Sequence, residues 1–199
     1  LQEHQRVHAG GADVPHHEHS AHPAGSALRE QGEPQMIELR DVHKSFGKVE
    51  VLTFNPAAPV LGPAASADVV LTFRNLHNWY MQKGEQGMID AFSSFYAALK
   101  PGGVLGVVEH RLPEAKKTAD WLKSGYFPQS LAIELAQKAG FVLEASSEIN
   151  ANPKDTADHP GGVWTLPPTL SQKEQDKDKY LVIGESDRMT LKFRKPAAN

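Results

Sequence analysis

The side chains best suited to chemistry fall in two short polar clusters, each attached to an apolar run. Arg74, Asn75, His77, Asn78 and Trp79 follow ADVVLTF (67–73), while Glu109, His110 and Arg111 stand at and just beyond the end of VLGVVE (104–109). His77 and His110 titrate near neutrality, which suits either of them to act as a general base. The same positions also suit ordinary loop histidines satisfied by backbone groups. A third cluster, His16, His17, Glu18, His19 and His22, has metal-ligating residue types. No periodic element surrounds it to fix a coordination geometry, so no metal is assigned.

The elements that must position the first two clusters can be read from pattern. ADVVLTF and VLGVVE are uninterrupted apolar runs of the length of strands buried on both faces in a parallel sheet. Between them Met88, Ile89, Phe92, Phe95, Tyr96 and Leu99 recur at intervals of three and four, which predicts a helix with one apolar stripe. Lys100-Pro101-Gly102-Gly103 stops it. QSLAIELAQKAG predicts a second helix with Ser130 as N-cap and Gly140 beyond its end. FVLEASSEI predicts a third strand, and RMTLKF alternates strictly, as a late antiparallel strand does. The order strand, helix, strand, helix, strand, strand predicts a doubly wound α/β sheet, in which ligands sit beyond the carboxyl ends of the strands. That placement makes the two polar clusters one candidate site. Between Ile149 and Arg188 a long polar stretch predicts either a lid over that site, with Trp164 and Tyr180 as apolar anchors, or a surface excursion.

Composition bounds the alternatives. The chain has 199 residues, 40% apolar and 23% charged, which can fill one core. Its formal charge of -3 does not favour a nucleic-acid partner. The absence of cysteine excludes disulfides and thiolate-held zinc. No run approaches the roughly 20 apolar residues of a membrane helix, and the opening LQEHQRVHAG has no apolar signal-peptide core. Residues 1–35 hold six of the ten histidines and few large apolar side chains, so a disordered tail is expected there. Residues 36–54 predict a β-hairpin-like segment, and residues 55–196 one α/β domain.

ADVVLTFRNLHNWY (67–80), AALKPGGVLGVVEHR (97–111), and SSEINANPKDT with GVWTLPPTL and GESDRMTLKF (146–193) together resemble class I S-adenosylmethionine (SAM) methyltransferases. More narrowly, they resemble a bacterial family of predicted methyltransferases, many thought to be exported; the resemblance covers residues 48–196. It implies a Rossmann-like three-layer sheet of the methyltransferase type, SAM as cofactor, and a small-molecule acceptor. It also implies that Asn55, Arg74 and Asn75 contact SAM, and that Asn78, Trp79, Glu109, Arg111 and Trp164 contact the acceptor. His77 or His110 would be the base. Methyl transfer asks chiefly for alignment of acceptor and methyl group, since the sulfonium is already activated.

The resemblance lacks its front part. Upstream of Lys48 no strand is followed by a G-x-G-x-G turn and a helix, the device by which such folds approach the ligand closely. The fold is therefore expected to be incomplete at its N-terminal half, with 67–73 exposing apolar edge unless the 36–54 segment packs against it. A homodimer through that edge is the other expected outcome. MIELRDVHKSFGKVEVL instead resembles the opening hairpin of an ABC-transporter ATPase, but no P-loop follows anywhere. Two functions remain open: a SAM-dependent methyltransferase, and a non-catalytic domain derived from one that cannot hold SAM. No Asn-Pro-Pro-aromatic motif follows 67–73, which argues against methylation of nucleic-acid bases.

Overall fold

The computed structural model describes residues 54–55 and 58–197. The expected tail (1–35), its histidine cluster, and the expected hairpin apart from Phe54 lie outside the described residues.

Strand β1 (Ala67–Phe73) runs parallel to β2 (Leu99–Leu112), with Val70 opposite Leu105 and Phe73 opposite Val108. Helix α1 (Leu76–Ala98) connects them, and two residues separate it from β1. β5 (Arg188–Arg194) pairs antiparallel with the other edge of β2, and β4 (Val142–Ser147) pairs antiparallel with β5. The order is β1-β2-β5-β4, with a two-residue strand β3 (Phe127–Pro128) beside the end of β2. Helix α2 (Gln129–Lys138) precedes β4, and a short helix α3 (Lys177–Ile183) precedes β5. This is the α/β sheet expected, with its late antiparallel strand. Met189, Leu191 and Phe193 are buried in alternation along β5, as the sequence pattern predicts.

One core joins the helices to the sheet. Met88, Phe92 and Phe95 of α1 and Leu131 and Leu135 of α2 meet Val70, Leu105, Val107, Leu191 and Phe193. Both helices thus cover the same face. The opposite face of β1 is open: Val69 is 54% and Leu71 40% exposed. The expectation that β1 is buried on both faces is therefore corrected. Side chains at alternate strand positions point to opposite faces, and only the face carrying Val70 and Thr72 is covered among the described residues. Among the described residues β1 also forms one edge of the sheet.

Two local expectations change. α1 begins at Leu76, well before the periodic stripe, and is broken at Gly84, whose φ of 61° and ψ of −149° leave the helical region. His77, Asn78 and Trp79 therefore sit in a first helical turn and not in a loop. Ser130 is not the cap of α2, since Pro128 occupies that position. The Glu114 carboxylate accepts from Ser130 N at 2.9 Å and from its hydroxyl at 2.8 Å, placing negative charge at the helix start.

Candidate functional site

The carboxyl ends of β1 and β2 meet at the N-terminus of α1. Asn75 holds the cap position there without a side-chain capping bond. The task falls to Glu109, the last buried residue of β2 on the core face. Its Oε2 accepts from Leu76 N at 2.6 Å and from His77 N at 3.3 Å. Its Oε1 accepts from His110 N at 2.8 Å and lies 3.0 Å from His77 Nδ1. Burial pushes this carboxyl up, but the His77 ring, its hydrogen bond and the His110 amide outweigh that and hold it below its ordinary value. An ionised carboxylate only accepts, so Nδ1 of His77 carries the proton. In the neutral ring Nε2 is then the accepting nitrogen.

His77 and His110 line one side of a cavity of about 410 Å³. Their ring centroids are 5.5 Å apart. Burial lowers the His110 pKa from 6.5 to about 3, against a partial opposing pull from Glu109. His110 is therefore neutral over the physiological range and a weak base, which corrects its expected titration near neutrality. Its Nδ1 shares a 2.5 Å hydrogen bond with the Ser186 hydroxyl.

The far wall comes from the 149–187 excursion. Trp164 places its indole edge-on to His77 at 6.1 Å, and Pro167 and Pro168 continue the wall. This stretch is pinned by buried polar bonds. Asp155 accepts from Tyr126 Oη at 3.0 and 2.9 Å and from the amides of Ala157 (2.9 Å) and Asp187 (2.7 Å), and lies 2.8 Å from His159 Nε2. Asn152 donates from its side chain to the Ile183 and Glu185 carbonyls. Tyr180 packs edge-on against His159, away from the cavity.

The remaining expected site residues divide. Arg74, Asn75 and Asn78 line the cavity with His77, His110 and Trp164. Glu109 is fully buried beneath it and serves the His77 ring, so contact with an acceptor is excluded by its position. Arg111 is turned outward, pairing with Asp187 at 2.8 Å and with Glu148 at 2.7 Å. Trp79 points into the core against Phe54 and Phe95, with ring centroids at 5.8 and 5.5 Å. It lines a second, mostly apolar cavity of about 370 Å³ along β1, which also borders Asn75. Asn55 is exposed and lines neither cavity. Sequence reasoning missed Ser186 and Arg188, which complete the first cavity. The only signal for them was their place in GESDRMTLKF, two residues before and at the start of an alternating strand.

No family model and no curated protein matches the chain. Among solved structures, a SAM-dependent methyltransferase from Methanosarcina mazei is similar at TM-score 0.46 and 11% identity, over 71% of this chain and 65% of that one. The [4+2]-cyclase SpnF is similar at TM-score 0.45 and 17% identity, over 71% of this chain and 54% of that one. Geranyl diphosphate methyltransferase in complex with SAM gives 0.44 and 10%, over 69% and 54%. The chain spans between about half and two thirds of the length of these proteins. The α/β fold of this chain rests on its own strand order, β1-β2-β5-β4, with a parallel β1–β2 pair and antiparallel β5.

Proposed function

We propose that this chain carries the acceptor-binding side of a SAM-dependent methyltransferase acting on a small molecule. The observation that carries the reading is the Glu109–His77 pair, which joins the end of β2 to the first turn of α1 and sets the His77 ring on the wall of a cavity sized for a small ligand. The resemblance to bacterial predicted methyltransferases, carried by the three sequence stretches, supports the same reading. SAM would supply the methyl group. The described residues do not by themselves fit SAM. No glycine-rich turn follows β1, Glu109 is occupied by four donors, and Glu185 is paired with Arg188. No carboxylate is thus left at the strand ends for a ribose. The roles assigned concern the acceptor: Asn78 and Trp164 border it, and His77 Nε2 takes the proton from its hydroxyl or amine. Glu109 holds the ring in that tautomer and orientation.

A second reading, a methyltransferase-derived domain without SAM binding, is favoured by a different observation. Val69 and Leu71 are exposed on β1, and Thr72 Oγ1 and Trp79 Nε1 are buried without partners beside the second cavity. Calorimetric titration of the full chain with SAM and S-adenosylhomocysteine separates the two. Micromolar binding supports the enzyme. No binding at millimolar ligand, in a chain shown to be folded by circular dichroism, overturns it in favour of the second reading.

A further inference from the structure

The first cavity is lined by more side-chain hydrogen-bond donors than acceptors, and two buried donors of its lining residues have no partner among the described residues. Arg188 enters at the start of β5 with Nε buried and unpartnered, while its Nη2 is engaged by Glu185 toward solvent. Trp164 Nε1 is also buried without a partner. Arg74, at the end of β1, lines the cavity with a guanidinium that has no hydrogen bond or ion pair among the described residues. Buried donors in folded proteins are ordinarily satisfied, and two unsatisfied ones on residues lining one cavity, beside the unpaired Arg74 guanidinium, point to a ligand that accepts.

Charge leads to the same chemistry. Two guanidinium groups face the cavity, against one carboxylate, Glu185, already paired. Glu109 lies below with all its oxygens engaged. Both arginines come close enough to His110 to help lower its pKa, after burial. A carboxylate or phosphate supplies what is missing. Its oxygens only accept, it carries negative charge, and its geometry matches a guanidinium fork.

We propose that this cavity takes a small molecule bearing a carboxylate or phosphate group, held by Arg74, by Nε of Arg188 and by the indole N–H of Trp164. The acceptor class rests on the methyltransferase reading, whereas the anion site does not require SAM. The indole and Pro167 give the rest of the ligand an apolar surface, and the acceptor's nucleophile is left facing His77.

The test is calorimetric titration of the full chain with benzoate, with inorganic phosphate, and with benzamide as the neutral counterpart of benzoate. Saturable binding of benzoate or phosphate is expected, with none of benzamide. Arg74→Gln and Arg188→Gln should each weaken the favoured anion about tenfold, the loss of one charge-assisted contact. Arg188→Gln also loses the Glu185 pair, but the Arg74 guanidinium has no partner to lose among the described residues, so R74Q keeps the test independent of folding. Equal binding of benzoate and benzamide, or no binding of either anion, overturns the proposal. Binding that both arginine variants leave unchanged marks an adventitious ion only and overturns it as well. Anion binding without SAM binding would sink the methyltransferase reading and leave the site standing, and the reverse pattern would do the opposite.

Discussion

Glu109 Oε1 lies 3.0 Å from His77 Nδ1, and neither side chain is more than 2% exposed. The pair joins the end of β2 to the first turn of α1. One carboxylate thereby caps a helix, sets a histidine tautomer and receives the amide of its own neighbour, His110. Its placement on the core face of β2, in line with Leu105 and Val107, makes it a structural anchor as well as a positioning residue.

Because four donors depend on that carboxylate, Glu109→Ala should destabilise the fold by about 3–5 kcal/mol, the usual cost of breaking a buried pair from one side. Urea unfolding followed by circular dichroism measures it. His77→Ala combined with Glu109→Ala should cost less than the sum of the two single changes, since both remove the same contact. Strict additivity would show that the two side chains are not coupled.

Stability should fall on acidification, and His110 sets the window. Its pKa is 6.5 when free and about 3 in the fold, so between these values only the unfolded chain binds the proton. Stability is therefore whole above about 6.5 and is lost as pH falls toward 3, by about 1.4 kcal/mol per pH unit. Glu109, His77, Arg74 and Arg188 face this ring and shape the shift. Glu109 adds to the loss in acid. Its folded pKa lies below 4.5, so its contribution is present above that value and disappears below it. The urea midpoint, measured from pH 7 downward, should drop along this course, and His110→Asn should flatten the upper part of the slope. An unchanged slope in the variant would show that other groups control it.

Gly162 controls where Trp164 sits. Its φ is 61°, and a Cβ there would run into the Ser124 backbone carbonyl. Gly162→Ala should cost at least about 1 kcal/mol, from the strained backbone and the displaced loop. It should also change the Trp164 contribution to the fluorescence, since Val163 and Trp164 pack against the Gly125 turn. Wild-type stability together with an unaltered spectrum would contradict the fit described for this loop.

The face and edge of β1 that the described residues leave open should drive self-association. Val69→Lys together with Leu71→Lys replaces two exposed apolar side chains. Each change should alter stability by no more than about 0.5 kcal/mol, as surface substitutions do. In sedimentation velocity the parent chain should form dimers or larger species and the double variant should remain monomeric. Equal association of both would place the contact elsewhere.

The apolar runs 67–73 and 104–109, the stripe through Met88, Phe92 and Phe95, and the alternation of RMTLKF were legible in the sequence. Periodicity records which side chains are buried, and burial is a local demand repeated along each element. The general location of the site was legible too, because parallel strands bring their carboxyl ends to one side of the sheet.

What each site residue does was decided only by tertiary structure. Arg74 and Arg111 look alike in sequence, each coming just after an apolar run, yet one borders the cavity and the other is engaged by Asp187 and Glu148. Glu109 and His77 are 32 residues apart, and Ser186 and His110 are 76 apart. No local pattern encodes such pairs. They form because β2 lies between β1 and β5, so that packing of the whole sheet, and not the preference of any one segment, selects which polar groups are buried together.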